Sequence, residues 1–289
     1  MPQLFQLLVG SLIFGSIYSL ASLGMMLIFN ASGVVNFAFG ALGTVVAFVY
    51  WEGLQRGGAV LGWLLAVIGG ALIGWLCYFF VLQRVRRDDG VSSLVATIGL
   101  LLASLGVMGA IWGYAPKKVG ALASNSALNV LGVSITAIEV TDTDIAIAVM
   151  GVISAVLLRT RLGQAVRAVG RDPEVAELMG ISSQRIVGMA WAAGTVLTGV
   201  AGIMGASTLG LAPNMLDNSV LFAFAGAIIG GFGSLKGCIV GGLLVGFISS
   251  LVSGYLSSPL QVPVVFAILI VVLFVRPNGM FGRAETVRA

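Results

Sequence analysis

Long stretches without a charged side chain constrain this sequence more than any other feature. No Asp, Glu, Lys or Arg precedes Glu52, and later uncharged runs cover 57–83, 90–116 and 237–275. A helix needs about 20 residues to cross the hydrocarbon of a bilayer. Charged residues make up only 9% of the chain, whereas soluble proteins carry about 25%. The sequence therefore predicts an integral membrane protein with many helical spans.

The uncharged runs divide into candidate spans at 4–28, 34–50, 59–82, 91–112, 144–159, 186–208, 219–231, 237–252 and 259–275. Two of them, 34–50 and 219–231, are short and contain glycine, which is typical of broken or re-entrant helices. We therefore expect an all-α integral membrane protein. Its fold would be a polytopic helical bundle of eight or nine hydrophobic segments, forming one transmembrane domain over residues 1–289.

Basic residues indicate how the bundle is oriented. They follow the third segment, cluster around 160–185 and close the chain, at Arg84, Arg86, Arg87, Arg159, Arg161, Arg167, Arg171, Arg185, Arg276, Arg283 and Arg288. Cytoplasmic loops of membrane proteins carry the excess of Lys and Arg. The loop 160–185 and the C-terminus are therefore expected in the cytoplasm, with the N-terminus and the loop 113–143 outside. Near-alternate hydrophobic residues at 130–140 predict a short hairpin in that external loop.

The residue inventory argues against an enzyme. The chain has no histidine, which removes histidine general bases and most zinc sites. Its two cysteines, Cys77 and Cys238, lie in apolar stretches, where buried thiols are expected rather than a disulfide. No Gly-x-x-x-x-Gly-Lys-(Ser/Thr) phosphate loop is present, so the chain is not expected to hydrolyse ATP itself.

A weak internal repeat hints at two related halves. The sequence Phe-Ala-Phe-Gly-Ala at 37–41 returns as Phe-Ala-Phe-Ala-Gly at 222–226. Each copy follows a full-length span, and these two spans are expected to run in opposite directions. Inverted repeats are a common transporter plan, in which interrupted helices meet at the pathway. A five-residue match between apolar segments also arises by chance, so both interpretations stay open.

The loop 159–185 carries the sharpest local signal. Asp172 before Pro173 and Glu174 predicts a helix start, with an N-cap acid, proline at the first helical position and a second acid near the positive helix end. Gly180 predicts the stop. Apolar residues form a stripe on one side, at Val175, Leu178, Met179 and Ile181. Such a stripe fits the bilayer surface, the chain's own bundle, or a groove on another protein.

Several motifs occur in order along most of the chain. The loop reads Gly-Gln-Ala-Val-Arg-Ala at 163–168 and Asp-Pro-Glu-Val-Ala-Glu-Leu-Met-Gly-Ile at 172–181. Outside it lie Val-Asn-Phe-Ala-Phe-Gly at 35–40, a glycine-rich element at 230–237, and Arg-Pro-Asn-Gly-Met-Phe-Gly at 276–282. Together these motifs resemble the branched-chain amino acid ABC transporter permease family, in particular its shorter permease subunit.

The resemblance implies the permease subunit of an ATP-binding-cassette importer in a bacterial inner membrane. Such a subunit pairs with a second, homologous permease, sits on two cytoplasmic ATPase subunits and receives solute from an external binding protein. It needs no cofactor of its own, because the partner subunits bind ATP. The loop would couple the permease to the ATPases through Arg167, Asp172, Pro173, Glu174, Val175, Ala176, Leu178, Met179 and Gly180.

The solute pathway is expected near the interrupted segments, at Asn36, Phe37, Phe39, Gly40, Asn218, Phe222, Phe224 and Gly230. Packing within the bundle or against lipid is the alternative role of the phenylalanines, and helix packing is that of the glycines.

One departure from the family bears on the solute. Phe39 and Ala41 stand where the family often has a polar residue and an acid. No obvious acid in the membrane core is then expected to meet an ammonium group, and Asp217 sits at its edge. The sequence therefore leaves room for a less polar or anionic solute beside an amino acid or a related compound. An ion-driven carrier is a competing interpretation, which would favour acids inside the membrane.

Overall fold

The computed structural model describes residues 2–85, 90–119, 127–130 and 133–282. Its helices within these ranges are α1 (Pro2–Ser32), α2 (Phe39–Phe80), α3 (Gly90–Trp112), α4 (Ala137–Arg159), α5 (Arg161–Arg171), α6 (Pro173–Leu178), α7 (Ser183–Leu209), α8 (Asp217–Gly230), α9 (Leu235–Tyr255) and α10 (Gln261–Val275). The described strands, β1 (Ala127–Val130) and β2 (Val133–Thr136), form one antiparallel hairpin. The predicted helical membrane fold is confirmed.

Helix α2 is a hairpin of two antiparallel arms. Its 42 residues would extend about 63 Å as a straight helix, roughly twice the hydrocarbon thickness of a bilayer. The backbone leaves the helix at Gly58, where φ is +76° and ψ is −171°. The arms, 39–56 and 59–80, then lie side by side, because a Cβ added to Gly53 would lie 2.8 Å from the Cα of Gly62.

The described residues contain nine hydrophobic segments. Seven helices are long and apolar enough to cross a bilayer. Counting α2 as two arms makes eight, and the shorter α8 makes nine. The sequence predicted eight or nine, and α8 corresponds to the short segment predicted at 219–231. The segment predicted at 34–50 begins later, at Phe39, because residues 33–38 form the turn after α1.

The basic regions gather at one end of the bundle, called the arginine end below, which carries Arg84, Arg167, Arg171 and Arg276. There Gly170 of α5 contacts the carbonyl oxygen of Asn30 in α1, and Trp75 of α2 packs on Gly188 of α7. The spans alternate in direction, so the opposite end, called the cavity end below, holds the start of α1 and the turn at Gly58. The predicted positions Arg86, Arg87, Arg283 and Arg288 lie outside the described residues.

Helices α1 and α7 form the buried centre of the bundle. They cross where a Cβ on Gly24 would lie 2.7 Å from the carbonyl oxygen of Gly194. Helix α1 also meets α9 backbone to backbone, with Gly242 against Ser19. Small residues permit such close approach in membrane helices, where packing drives association.

The two halves repeat one succession of elements in opposite directions. Helix α1 runs to the arginine end, a turn follows, and the first arm of α2 runs back. Helix α7 runs to the cavity end, the loop 210–216 follows, and α8 runs back. This succession is compatible with the inverted plan that the sequence left open. The five-residue sequence match does not fall at equivalent places in the two halves. Residues 37–38 lie in the turn before α2, whereas residues 222–226 lie inside α8.

The predicted external loop 113–143 is shorter than expected, because α4 begins at Ala137. Its hairpin spans 127–136 rather than 130–140. Asp142 therefore lies within α4, where it is buried and accepts a hydrogen bond from the Ser207 hydroxyl at 2.7 Å. Asp142 lies near the start of the apolar span Val140–Arg159, so this buried acid sits close to the cavity end of the span rather than at its middle.

Candidate solute pathway and coupling surface

Helix α8 is too short to cross the membrane alone. Its 14 residues extend about 21 Å, less than the roughly 30 Å of bilayer hydrocarbon. Its last residues reach the arginine end, where Gly231 lies against Gly279. The first turn of α8 therefore begins within the membrane region, below the loop 210–216, which pairs with Lys117 through Leu211.

A cavity of about 770 Å³ lies above this first turn. Its rim at the cavity end includes Gln6, Pro116 and Ser258, and the cavity descends between α1, α8 and α9. Hydroxyl and amide groups line it, at Tyr18, Asn218, Ser219, Ser250, Ser253 and Gln261. None of its described lining residues is Asp, Glu, Lys or Arg. The cavity can therefore offer hydrogen bonds to a small solute without offering a full charge.

The floor of the cavity closes toward the arginine end. The rings of Tyr18 and Phe222 pack with centroids 5.2 Å apart. Below them, the Ser22 hydroxyl donates to the carbonyl oxygen of Ala223 at 2.6 Å. In this structure the cavity is therefore accessible from the cavity end and closed on the other side.

The C-terminal motif at 276–282 completes the closed side. Backbone N–H groups of Met280 and Phe281 donate to the carbonyl oxygens of Ile229 and Gly230, at 2.9 Å each. These carbonyls belong to the last turn of α8, where a helix lacks internal donors. The motif thus caps α8 and ties it to the chain that follows α10.

The structure brings two of the predicted pathway residues, Asn218 and Phe222, to the cavity. Phe39 and Gly40 border a separate small void between α1, α2, α7 and α8. The others are away from both, at Asn36, Phe37, Phe224 and Gly230.

Asn36 is buried in the turn before α2, where its Oδ1 accepts a hydrogen bond from the Ala38 N–H at 2.9 Å. Phe37 is exposed, and Phe224 packs edge-on against Phe232. Gly230 lies directly against the backbone of Gly237. In this structure these residues serve the turn and the helix packing.

Sequence reasoning missed most of the cavity's polar wall, especially Ser219, Ser250 and Ser253. A signal was present in α9, where three serines at 249, 250 and 253 interrupt an apolar segment. Spacing of three or four residues places 249 or 250 and 253 on neighbouring parts of one helix face. The sequence alone could not show that this face meets the start of α8.

The predicted coupling helix is confirmed as a local structure. The Asp172 carboxylate accepts hydrogen bonds from the N–H groups of Glu174 and Val175, at 3.0 Å each. Pro173 opens α6, and Gly180 ends the turn with φ +80°. The helix start and stop therefore follow from the residues that were singled out in the sequence.

Three of the four residues in the apolar stripe of this segment are open to the surroundings, whereas Ile181 is half-buried and packs against the bundle core. Leu178 is 87% exposed, Met179 78% and Val175 53%. Ala176 differs, because it is buried and faces the bundle. The segment therefore presents an apolar surface beyond the bundle, while Ala176 anchors it.

Helix α5 connects this surface to the bundle. The Arg167 guanidinium donates to the carbonyl oxygen of Leu157, and Gly170 contacts the carbonyl oxygen of Asn30. The Asn30 side-chain amide in turn donates to the carbonyl oxygen of Gly233 at 3.2 Å. A continuous chain of contacts thus joins the exposed segment to the turn between α8 and α9.

A polytopic bundle with a polar cavity at one end and an exposed apolar helix at the other has the architecture of a membrane transport permease. Residues 7–275 match the family model for the permease component of the branched-chain amino acid transport system, and the chain belongs to this family. It is a multi-pass membrane protein.

The chain is similar to known transport proteins over most of its length. It is 28% identical to the high-affinity branched-chain amino acid transport system permease protein BraD of Pseudomonas aeruginosa, over 99% of each chain. It is also 28% identical to the corresponding LivH permease of Escherichia coli, covering 94% of this chain and 93% of that one. A probable LivH of Methanocaldococcus jannaschii is 27% identical, covering 83% and 78%.

A solved structure shares the fold. PsaBC from Streptococcus pneumoniae, determined in complex with Fab, superposes with a TM-score of 0.54 and 11% identity. The match covers 94% of this chain and 92% of that one. At this identity the likeness concerns the helical membrane fold alone.

The placement of the cavity and α6 predicts labelling from opposite membrane sides. In a Cys77→Ala/Cys238→Ala background, we expect Ser253→Cys to react with a membrane-impermeant maleimide only from one side. Leu178→Cys, at the exposed arginine end, should react only from the other. The measurement compares maleimide labelling in intact cells with labelling in inverted membrane vesicles. Reaction of both cysteines from the same side would contradict the topology.

Proposed function

We propose that this chain is the transmembrane permease subunit of an ATP-binding-cassette importer. It would act as one transmembrane domain, passing a small organic solute, an amino acid or a related compound, from an external binding protein into the cell. ATP hydrolysis would be carried out by separate subunits. The observation that carries the proposal is the capped, apolar and exposed α6 segment at the arginine end, opposite a polar cavity.

The exposed segment is suited to a protein groove. A large apolar side chain fully exposed to water forgoes about 2 kcal/mol of burial, and Leu178 and Met179 are both largely exposed. The Ser183 hydroxyl holds the start of α6 by donating to the carbonyl oxygen of Pro173 at 3.0 Å. A short helix held rigidly, with apolar side chains at its tip, can seat in a groove and transmit its movement.

The orientation follows from the basic residues. Positive charge marks the cytoplasmic side, so the arginine end would face the cytoplasm and its ATPase subunits. The N-terminus and the cavity would then face the outside, where a binding protein delivers solute. The membrane would be a bacterial inner membrane, since two of the named relatives are permease proteins of bacteria.

Partner subunits complete the proposed assembly. Two ATPase subunits would bind the cytoplasmic face, and a second, homologous permease would pair with this chain. An ion-driven carrier gains little support from Asp142, because this acid does not line the cavity and is engaged by the Ser207 hydroxyl.

The contacts through α5 suggest how ATPase closure reaches the pathway. Movement of α6 would carry α5, whose Gly170 touches Asn30, and Asn30 is bonded to the turn at Gly233. That turn joins α8, which forms part of the cavity wall, to α9. A packed chain with two arrangements is the physical means by which one site biases another.

A charge placed on the exposed stripe should uncouple the transporter. We expect Leu178→Asp to leave the protein in the membrane but to weaken ATPase binding. Loss of a central apolar anchor at an interface costs about 2 kcal/mol, which is about thirtyfold in affinity. Co-purification of ATPase subunits and ATP-driven uptake in proteoliposomes measure the loss.

Leu162→Asp is the matched control, because Leu162 is also an exposed leucine at the arginine end but lies in α5 outside the stripe. Normal ATPase binding and uptake by Leu178→Asp would contradict the docking assignment.

The contact between Gly170 and Asn30 predicts a second uncoupled variant. A methyl group at Gly170 would collide with the Asn30 carbonyl oxygen, a backbone atom that cannot rotate away. We expect Gly170→Ala to retain ATPase binding and lose more than about half of its solute uptake per ATP hydrolysed, since coupling mutations act over about 0.5–2 kcal/mol. Gly151→Ala is the control, because nothing lies within 4 Å of the added methyl. Equal solute uptake per ATP hydrolysed in the two variants would contradict the proposed contact path from α6 through α5 to the turn at Gly233.

A further inference from the structure

The C-terminal motif at 276–282, called the strap below, makes most of the hydrogen bonds that join α8 to the rest of the bundle. Among the described residues, three hydrogen bonds link α8 to parts of the chain that are distant in sequence. The Ser22 hydroxyl supplies one of them, and the N–H groups of Met280 and Phe281 in the strap supply the other two. The position of α8 at the arginine end therefore depends on the strap.

Backbone contact reinforces these two bonds. A Cβ added to Gly279 would lie 2.5 Å from the Cα of Gly231, and one added to Gly231 would lie 2.5 Å from the backbone nitrogen of Gly282. Gly279 also has φ +73°, a left-handed conformation that residues other than glycine rarely adopt. The strap can therefore seat against the end of α8 only because glycine occupies these positions.

The strap and the contact path from α5 meet at the same turn. Residues 231–234 join α8 to α9. Gly231 touches the strap, whereas the carbonyl oxygen of Gly233 accepts a hydrogen bond from the Asn30 amide at 3.2 Å. Asn30 in turn contacts Gly170 of α5. A displacement that arrives through Asn30 therefore reaches the turn directly beside the bonds that the strap makes.

The strap can leave the end of α8 at little cost, because it lies beyond the apolar span of α10, which ends at Val275. Met280 is 38% exposed and Phe281 44%. Once the strap departs, water can bond the carbonyl oxygens of Ile229 and Gly230 in its place. Exchanging a protein partner for water changes the net free energy of a hydrogen bond only modestly, so the contact is suited to reversible release.

We propose that the strap is a latch that holds the cavity closed toward the arginine end. While its two bonds are made, α8 stays against α1, and the floor formed by Tyr18 and Phe222 stays shut. Displacement of the turn through Asn30 breaks these bonds and lets the end of α8 move away from α1. This assignment rests on the proposed transport function, because it supplies the release step between ATPase closure and opening of the pathway.

The latch is tested by the access of a small thiol reagent to the cavity from the arginine end. The reporter is Asn218→Cys, in the first turn of α8 and in the cavity lining, in the Cys77→Ala/Cys238→Ala background. A membrane-impermeant methanethiosulfonate is applied to the membrane side from which Leu178→Cys reacts, and the labelling rate is measured.

We expect Gly279→Ala to raise this labelling rate about tenfold. The added methyl group lies against Gly231 and is held in a left-handed conformation, and release of the strap relieves this strain. Gly33→Ala is the matched control, because Gly33 has φ +71° but nothing lies within 4 Å of its added methyl. Unchanged labelling in Gly279→Ala, or an equal rise in Gly33→Ala, would overturn the proposal.

A second pair of variants decides the question if the Gly279→Ala chain fails to fold. Met280→Pro deletes one of the two bonds, since proline has no N–H. We expect it to raise labelling of the same reporter about fivefold, the effect of one backbone hydrogen bond. Met280→Ala shortens the side chain but keeps the N–H, so it should label like the parent chain. Equal labelling rates in the proline and alanine variants would contradict the latch.

Failure of the latch can be distinguished from failure of the proposed function. The labelling assay needs no ATPase subunit, so it reports on the strap whether or not a complex assembles. A chain that takes up solute with ATP but shows unchanged labelling in Gly279→Ala and Met280→Pro would retain the function and lose the latch. A chain whose labelling rises in both variants but that never associates with an ATPase would do the reverse.

Discussion

Backbone contact between membrane helices is the interaction on which the rest of this structure depends. Apolar side chains gain little by leaving lipid for one another, so close packing has to hold the bundle together. Helix α1 supplies the centre, with Gly24 against α7 and Ser19 against Gly242 of α9. Because α1 occupies this position, the short α8 is held beside it and can begin within the membrane region.

The candidate site follows from that arrangement. Non-helical backbone at membrane depth is tolerated only where protein buries it or where it lines a water-filled cavity. The loop 210–216 and the uncapped first turn of α8 meet this requirement beside the cavity. The opposite end of α8 needs no water, because Met280 and Phe281 cap its carbonyls. The short helix α8 thus lies between the open polar cavity and the closed arginine end. Helix α5 links that closed end to the exposed apolar stripe of α6.

Sequence reasoning succeeded where the signal was local. The run lengths limited the hydrophobic segments to eight or nine. The Asp172-Pro173 start and the Gly180 stop defined α6, because caps act within one turn. It failed where partners come from distant segments. Asn36 and Phe37 were expected at the pathway, but the cavity does not extend to their turn, and the extent of a cavity depends on tertiary packing. Ser219 and Ser250 were missed for the same reason, since the cavity exists only once α8 and α9 are placed together.

Purification of the chain from its native membranes in mild detergent, with identification of the proteins that accompany it, tests the central claim most directly. The account predicts two ATPase subunits and a homologous permease, in a complex that takes up solute only with ATP and the external binding protein. Recovery of the chain alone, from membranes in which it supports uptake without ATP, would contradict the account and indicate a secondary carrier.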